Sequence, residues 1–433
     1  MAASLRPIIT ICGTTGVGKS KLAVELALHI NRMSQKFGWR GAKVINADAM
    51  QVYEGLDIIT NKVPESERHG VAHMMMGFKQ PGEQYVVGEW VQDTLNLIDE
   101  LHNSHQLPIV VGGTSYWIQH LIFPNRLVPK EIVESSSSGT EITWPEPLVK
   151  AFATLPPELS SLLQNLPEDP PSAKMNPDDA FQLHALLAIL DPVMSQRWHW
   201  KDTRKVLRSL EILKETRKRP SDVVFEQSSA IQESQPRFRT LSFWLYAEPS
   251  VLGLRLDARV DNMISQGLLD EVKSLRDLAA NGLLITSTSG ASSKIIDYTI
   301  GIYQSIGYKE FCKYLEDPSD AAFREATERM KISTRQYAKR QISWIRNKLI
   351  PAAEWANVDG VVVPFYLLDA TTLGEDWVRN VQNPAFDVTE GFIAESNMPD
   401  PKTLSEAAYK MLTVTKKNVR LVPFAITLHS CIS

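Results

Sequence analysis

The chain has 433 residues, 43% of them apolar, with 46 Lys and Arg against 50 Asp and Glu, a formal net charge of −4. That size predicts two or three units with ordinary globular cores, and the near-neutral balance restricts any nucleic-acid surface to a local patch. Cys12, Cys312 and Cys431 are too few and too scattered for a disulfide framework or a four-cysteine zinc site, which points to a reducing compartment. No apolar run reaches the roughly 18 residues of a membrane-spanning helix. Met1 to Arg6 carry no apolar leader core, so neither a signal peptide nor an Arg-rich transit peptide is expected.

Pro7 to Cys12 read as a short buried strand. Gly13, Thr14, Thr15, Gly16, Val17, Gly18, Lys19 and Ser20 then fit G-x4-G-K-[ST] at every fixed position. From Ser20 a helix is expected, with Leu22, Leu26, Ile30 and Met33 on one face. Strand, glycine loop and helix together form a phosphate site. The glycines let backbone N–H groups close around phosphate oxygens, and the helix N-terminus adds partial positive charge. Lys19 would neutralise phosphate charge and Ser20 would hold Mg²⁺.

Lys43 to Asp48 read as a second strand ending in a carboxylate, Val87 to Leu101 as a helix, and Leu107 to Thr114 as a strand ending in a glycine turn. This alternation predicts an α/β fold with a parallel, P-loop NTPase-like sheet core over residues 1–123. Ligands sit at the carboxyl ends of such strands, where Gly13, Asp48 and Thr114 all fall. Residues 124–175, with Ser135 to Gly139 and many prolines, read as an insertion with a flexible tip. A mostly helical insertion domain is placed at 124–200 and a return to the core at 201–350, with Phe238 to Tyr246 rejoining the sheet and helices over 250–280 and 318–348. The extension 351–433 is left with short elements only.

Three constellations carry chemistry. Asp48 reads as a Walker B-type carboxylate holding Mg²⁺ through water, as a general base, or as a structural cap. Arg204, Lys205 and Arg208 place two guanidinium groups one helical turn apart near Trp198 and Trp200, and read equally as a solvated face. Residues 324–348 carry Arg324, Arg329, Lys331, Arg335, Lys339, Arg340, Arg346 and Lys348 against only Glu325 and Glu328. Lys331, Arg335 and Lys339 share one face. With Gln336, Tyr337 and Trp344 interleaved, this helix suits phosphate tracking and base stacking as well as plain solvation.

In order along residues 8–348, the chain resembles the tRNA dimethylallyltransferases (tRNA isopentenyltransferases) of the eukaryotic type. The resemblance lies in the phosphate loop, I-N-A-D-A-M-Q-V-Y with I-I-T-N-K (Ile45 to Lys62), V-V-G-G-T-S-Y-W-I-Q (Val110 to Gln119), and L-D-P-V-M with D-T-R-K-V-L-R-S-L-E (Leu190 to Glu211). It continues in L-R-L-D-A-R-V-D-N-M with G-L-L-D-E-V (Leu254 to Val272), Q-S-I-G-Y-K-E (Gln304 to Glu310) and Y-A-K-R-Q-I-S-W-I-R (Tyr337 to Arg346). It implies transfer of a dimethylallyl group from dimethylallyl diphosphate to N6 of adenine 37 beside the tRNA anticodon. Residues 13–20 would hold the diphosphate, with Mg²⁺ on Ser20 and Arg255 on the developing charge. Asp48 would be the base and Thr114 would orient the reacting groups. Ala49, Met50, Gln51, Arg204, Lys205, Arg208, Lys339, Arg340 and Gln341 match tRNA-contacting parts, and the insertion would clamp the anticodon stem. A cytoplasmic monomer, with mitochondrial or nuclear pools, is the expectation.

Ala49 stands where many relatives have Ser, and Met74 follows His73 where bacterial relatives often have a second His. Eukaryotic relatives commonly end in a C2H2-type zinc finger. Here no C-x2-C follows residue 312, and His429 with Cys431 cannot form a zinc site alone, so no zinc and a weaker tRNA grip are expected. Three other functions fit parts of the pattern: an adenylate isopentenyltransferase acting on free AMP, ADP or ATP, a small-molecule P-loop kinase, and an RNA-binding protein with a degenerate loop. The first two leave the basic helix unexplained, and the intact Lys19, Ser20 and Asp48 argue against the third.

Overall fold

The computed structural model describes residues 5–124, 144–167, 170–231, 235–280 and 301–413. Among these, six strands form one sheet: β1 (Pro7–Gly13), β2 (Gly41–Asn46), β3 (His73–Met74), β4 (Gln106–Val111), β5 (Arg239–Tyr246) and β6 (Phe365–Asp369). Their order is β3-β2-β4-β1-β5-β6, and every neighbouring pair is parallel. Ile8, Ile9, Ile11, Ile109, Val110, Leu241 and Phe243 are fully buried, as expected for parallel strands covered on both faces. In register, Ile11 pairs with Val111 and with Phe243, and Asn46 pairs with Val111. The carboxyl ends of β1, β2 and β4 therefore lie side by side.

The helices that matter for the site are α1 (Lys19–Arg32), α2 (Val87–Asn103), α3 (Ser115–Ile122), α4 (Pro177–Leu190), α5 (Thr203–Thr216), α6 (Pro249–Ser265) and α7 (Asp320–Trp344). α1 buries Leu22, Leu26 and Ile30 against β1, β2 and β4. α2 sends the Trp90 indole N–H to the Asn46 carbonyl at 3.0 Å, tying it to the end of β2.

Two compact units are present. Among the described residues, the larger combines 5–123 with 235–280 and 301–413; the other lies between residues 124 and 231. The insertion thus runs at least to residue 231, where the sequence placed its end near 200. The reason is the apolar face of α5. Val206, Leu207, Leu210 and Leu213 pack with Leu183, Leu186, Leu187 and Leu190 of α4, so α5 completes the core of the insertion. The Asp191 carboxylate fixes the turn after α4, accepting from the Met194 and Ser221 N–H groups at 3.0 and 2.7 Å. The expected tip at Ser135 to Gly139, and the ending Leu421 to Ser433 with His429 and Cys431, lie outside the described residues.

The extension contributes more than its sequence signal suggested. β6 extends the sheet beyond β5, with Ser242 paired to Phe365 and Tyr246 to Asp369. Beyond β6, Trp377 is 2% exposed. A Cβ added at Gly18 would lie 2.7 Å from its ring, so only glycine fits beneath it. The Trp377 indole N–H donates to Glu25 at 3.0 Å, and Lys21 Nζ lies 4.6 Å from the ring centroid. The extension thereby braces the first turns of α1 directly behind the phosphate loop. Trp377→Ala should cost about 3–5 kcal/mol of stability, the usual range for emptying a buried Trp site. A fall in the midpoint of thermal or urea unfolding measures it, and an unchanged midpoint would show that this brace is dispensable.

Candidate active site

Two close backbone approaches set the geometry. A Cβ at Gly13 would lie 2.4 Å from the Leu245 carbonyl oxygen, and one at Gly112 would lie 2.0 Å from that of Ala47. Both positions require glycine because the loops lie flat against a neighbouring strand end. The β4 turn is thereby pressed onto residues 47–50. Thr114 N–H donates to the Ala47 carbonyl at 3.1 Å, and Ala49 N–H donates to Thr114 Oγ1 at 3.1 Å. Asp48 N–H donates to Asn46 Oδ1 at 3.1 Å, and Asp48 Oδ1 accepts from Met50 N–H at 3.0 Å. Thr114 thus acts on Asp48 through the backbone of its turn.

The phosphate loop faces this carboxylate. Lys19 Nζ folds back to donate to the Thr14 carbonyl at 2.7 Å. Arg259, from α6, donates to Thr15 Oγ1 at 2.6 Å. From α7, Gln341 reaches the same residue: its Oε1 accepts from Thr15 N–H at 2.9 Å while its Nε2 donates to the Gly113 carbonyl at 2.9 Å. The buried Thr14 hydroxyl has no hydrogen-bond partner, an orphaned polar group at the base of the loop.

Burial dominates the electrostatics. It pushes the Lys19 ammonium down to about 8, with Asp48 pulling it back up and Arg259 adding to the fall. It lowers Arg259 to about 10, again opposed by Asp48. It raises the Asp48 carboxyl above its ordinary value, although the Met50 N–H, Lys19 and Arg259 all favour the charged form. The result is a carboxylate more basic than a surface aspartate beside two desolvated cations, a combination expected at a catalytic centre. Cys12, behind the loop, is inert: burial pushes its thiol up to about 12.

Ser20 lies in the first turn of α1, half-buried. Its hydroxyl is the hard oxygen ligand that Mg²⁺ takes alongside phosphate oxygens and water. Among the described residues no group of three or more His, Cys, Asp or Glu could hold a metal. A magnesium ion at Ser20 would therefore complete its shell from a bound diphosphate and water.

The structure corrects the placing of Arg255 and Gln341 and gives other sequence-predicted residues partners within the protein. Arg255 does not meet the loop; its guanidinium donates to the Ala370 and Thr371 carbonyls at 3.2 and 2.9 Å. Arg259, one helical turn on, fills that place. Gln341 is 5% exposed and belongs to the loop, not to an RNA surface. Gln51 directs its amide protons to the Thr60 and Asn61 carbonyls at 3.1 and 3.0 Å, and Met50 Sδ accepts from Ser305 Oγ at 3.4 Å. Arg208 is held between Glu211 and Glu215 at 3.0 and 2.7 Å. Lys205 lies 5.0 Å from the Trp198 ring centroid and 3.5 Å from Asp202, and Arg204 is half-buried. All three belong to the insertion unit.

The basic face of α7 divides as well. Lys331 pairs with Asp261 at 2.8 Å and Arg335 with Asp257, both acids of α6. Trp344 packs edge-on against Tyr116 at 5.5 Å between ring centroids. Lys339 and Arg340 remain exposed, without an ion-pair partner among the described residues.

Sequence reasoning missed Arg259, although it stands in the same L-R-L-D-A-R motif as Arg255. It also missed two braces. Glu271 accepts from the Ile58 and Ile59 N–H groups at 2.9 and 2.8 Å, and Glu310 accepts from Gly307 N–H and Ser333 Oγ at 2.8 and 2.9 Å. Each lies inside a quoted motif, so the signal was present without its meaning.

The IPP transferase family model matches residues 51–348. The tRNA dimethylallyltransferase of Schizosaccharomyces pombe is 40% identical over 80% of this chain and 70% of its own length. That of Saccharomyces cerevisiae is 35% identical over 95% and 82%. A crystal structure of a eukaryotic dimethylallyltransferase acting on tRNA superposes with a TM-score of 0.66 at 33% identity, covering 94% of this chain and 84% of that one.

With the free Lys19 at about 8, the phosphate site should lose affinity as pH rises through that value, because the ammonium that meets the anion is discharged. Calorimetric titration with magnesium pyrophosphate should show weaker binding at high pH than at neutral pH. Lys19→Met should bind weakly throughout and lose this pH step. A step that persists in Lys19→Met would assign it to another group.

Proposed function

The chain belongs to the IPP transferase family of tRNA dimethylallyltransferases, and on that footing we propose that it transfers a dimethylallyl group from dimethylallyl diphosphate to N6 of adenine 37 in tRNA, releasing diphosphate. The observation that carries this reading is the placement of a half-buried Asp48, its carboxyl raised above the ordinary value, beside Lys19, Arg259 and the phosphate loop. A leaving anion and an incoming amine need that pair of environments in one site.

In the step itself the allylic C–O bond breaks and a C–N6 bond forms. Negative charge grows on the diphosphate, where Lys19, Arg259 and the loop amides receive it. Mg²⁺ held by Ser20 would add Lewis-acid stabilisation of the same oxygens. The exocyclic amine of adenine is a poor nucleophile, since its lone pair is delocalised into the ring, and Asp48 accepts its proton as the new bond forms. Thr114 and Asn46 hold the Asp48 turn in place for that transfer. The target adenine must leave its stack in the anticodon loop to reach a half-buried carboxylate. Lys339 and Arg340 are exposed immediately before Gln341, which touches the site, and they supply phosphate contacts to the tRNA.

The alternative acceptor is free AMP, ADP or ATP. The exposed pair Lys339 and Arg340 favours tRNA, because a free nucleotide carries its phosphates at one point and offers no backbone for an exposed basic pair to follow. Among the described residues no helix is long and apolar enough to cross a membrane. A cytoplasmic monomer, with mitochondrial or nuclear pools, is the proposed state.

Labelled dimethylallyl diphosphate offered together with unmodified tRNA and AMP should place its label on tRNA adenine 37; label on AMP alone would overturn the proposal. Asp48→Asn should lower turnover by about 10²–10⁴-fold while tRNA affinity stays near wild type. A matching loss of tRNA affinity would remove Asp48 from the role of base. Lys339→Ala and Arg340→Ala should each weaken tRNA binding and flatten its log–log salt dependence by about one charge; an unchanged slope would move the tRNA surface elsewhere.

A further inference from the structure

We propose that Gln341 occupies, in the free protein, the place of a diphosphate oxygen, and that the donor must displace it from the phosphate loop in order to bind. This rests on the reading of residues 13–20 as the diphosphate site. Backbone amides of such a loop are the groups that receive phosphate oxygens. Each carries one proton and donates fully to one acceptor. The Thr15 amide already has its acceptor, the Gln341 carboxamide oxygen at 2.9 Å. A glutamine oxygen is a neutral acceptor, so a diphosphate oxygen makes the stronger, charge-assisted bond and replaces it.

The contact is built into the fold. Gln341 is 5% exposed, and its nitrogen is anchored on the Gly113 carbonyl at 2.9 Å. A Cβ at Gly113 would lie 2.7 Å from Gln341 Nε2 and 3.1 Å from Asp48 Oδ2, so the carboxamide and the carboxylate flank the same glycine. Arg259 holds Thr15 by its hydroxyl at 2.6 Å and leaves the amide to Gln341 alone. The carboxamide therefore joins the donor loop, the turn beside Asp48 and the helix that presents Lys339 and Arg340. Its release on donor binding changes how that turn of α7 is held.

Two substitutions of opposite expected sign separate this from a merely structural role. Gln341→Met keeps the length of the side chain but does not compete for the Thr15 amide. The full-length protein should then bind magnesium pyrophosphate about five- to tenfold tighter than wild type, the worth of one neutral hydrogen bond. Gln341→Glu supplies a charged competitor that also repels the ligand, and binding should weaken by at least about tenfold. A loss of affinity in both variants would overturn the inference, because that is the result of simple damage to the loop. So would unchanged affinity in Gln341→Met.

Hydrogen exchange on the wild-type protein gives a check that needs no variant. The Thr15 amide should be protected without ligand, and rapid exchange there would sink the idea. Wild-type protein that does not bind pyrophosphate at all would overturn the reading of the loop, and this inference with it. Normal wild-type binding with the wrong signs in the variants would overturn the role of Gln341 alone.

Discussion

Lys19, Arg259 and Asp48 share a small desolvated volume at the carboxyl edge of the sheet, and the other features of the site depend on that arrangement. A single buried charge of either sign would be expelled or neutralised. Two cations with one carboxylate are tolerated because Asp48 offsets part of the desolvation of each cation and they offset part of its own, and a net positive charge remains for an anionic ligand. Burial outweighs the neighbouring cations, which leaves a stronger base than an exposed aspartate offers.

Holding such a cluster demands a rigid frame, and the parallel sheet supplies it. Three strand ends deliver the loop, the aspartate and the glycine turn, and Gly13 and Gly112 let those loops touch with no side chain between them. Partners distant in sequence then lock the loop: Arg259 and Gln341 from two helices, and Trp377 over Gly18 from the extension. Residues 365–413 are thus part of the catalytic core's own architecture. They add a strand to the sheet and a wall behind the first helix.

The basic residues divide by the same physics. A lysine or arginine near carboxylates becomes an ion pair, as Lys331 and Arg335 do with acids of the packed helix α6 and Arg208 does with acids of its own helix. Where a helix face turns away from such partners, the charge stays available to a phosphate backbone, as at Lys339 and Arg340. The long basic helix is therefore a structural strut at Lys331 and Arg335 and leaves its charge exposed at Lys339 and Arg340, with the change occurring within a few residues.

The amino-acid sequence by itself determined the phosphate loop, the strand-helix alternation, the positions of Asp48 and Thr114, and the family. These follow from local patterns: glycine spacing, apolar periodicity, and motifs read in order. Only the tertiary structure decided which arginine of L-R-L-D-A-R meets the loop, since Arg255 and Arg259 are equivalent in spacing and differ only in what lies opposite them. It also decided that Gln341 turns inward while Lys339 and Arg340 face out, that α5 belongs to the insertion, and that the weak apolar run at 365–369 is a strand. Each of these depends on a partner tens to hundreds of residues away, and no local pattern records what a side chain will find across the fold.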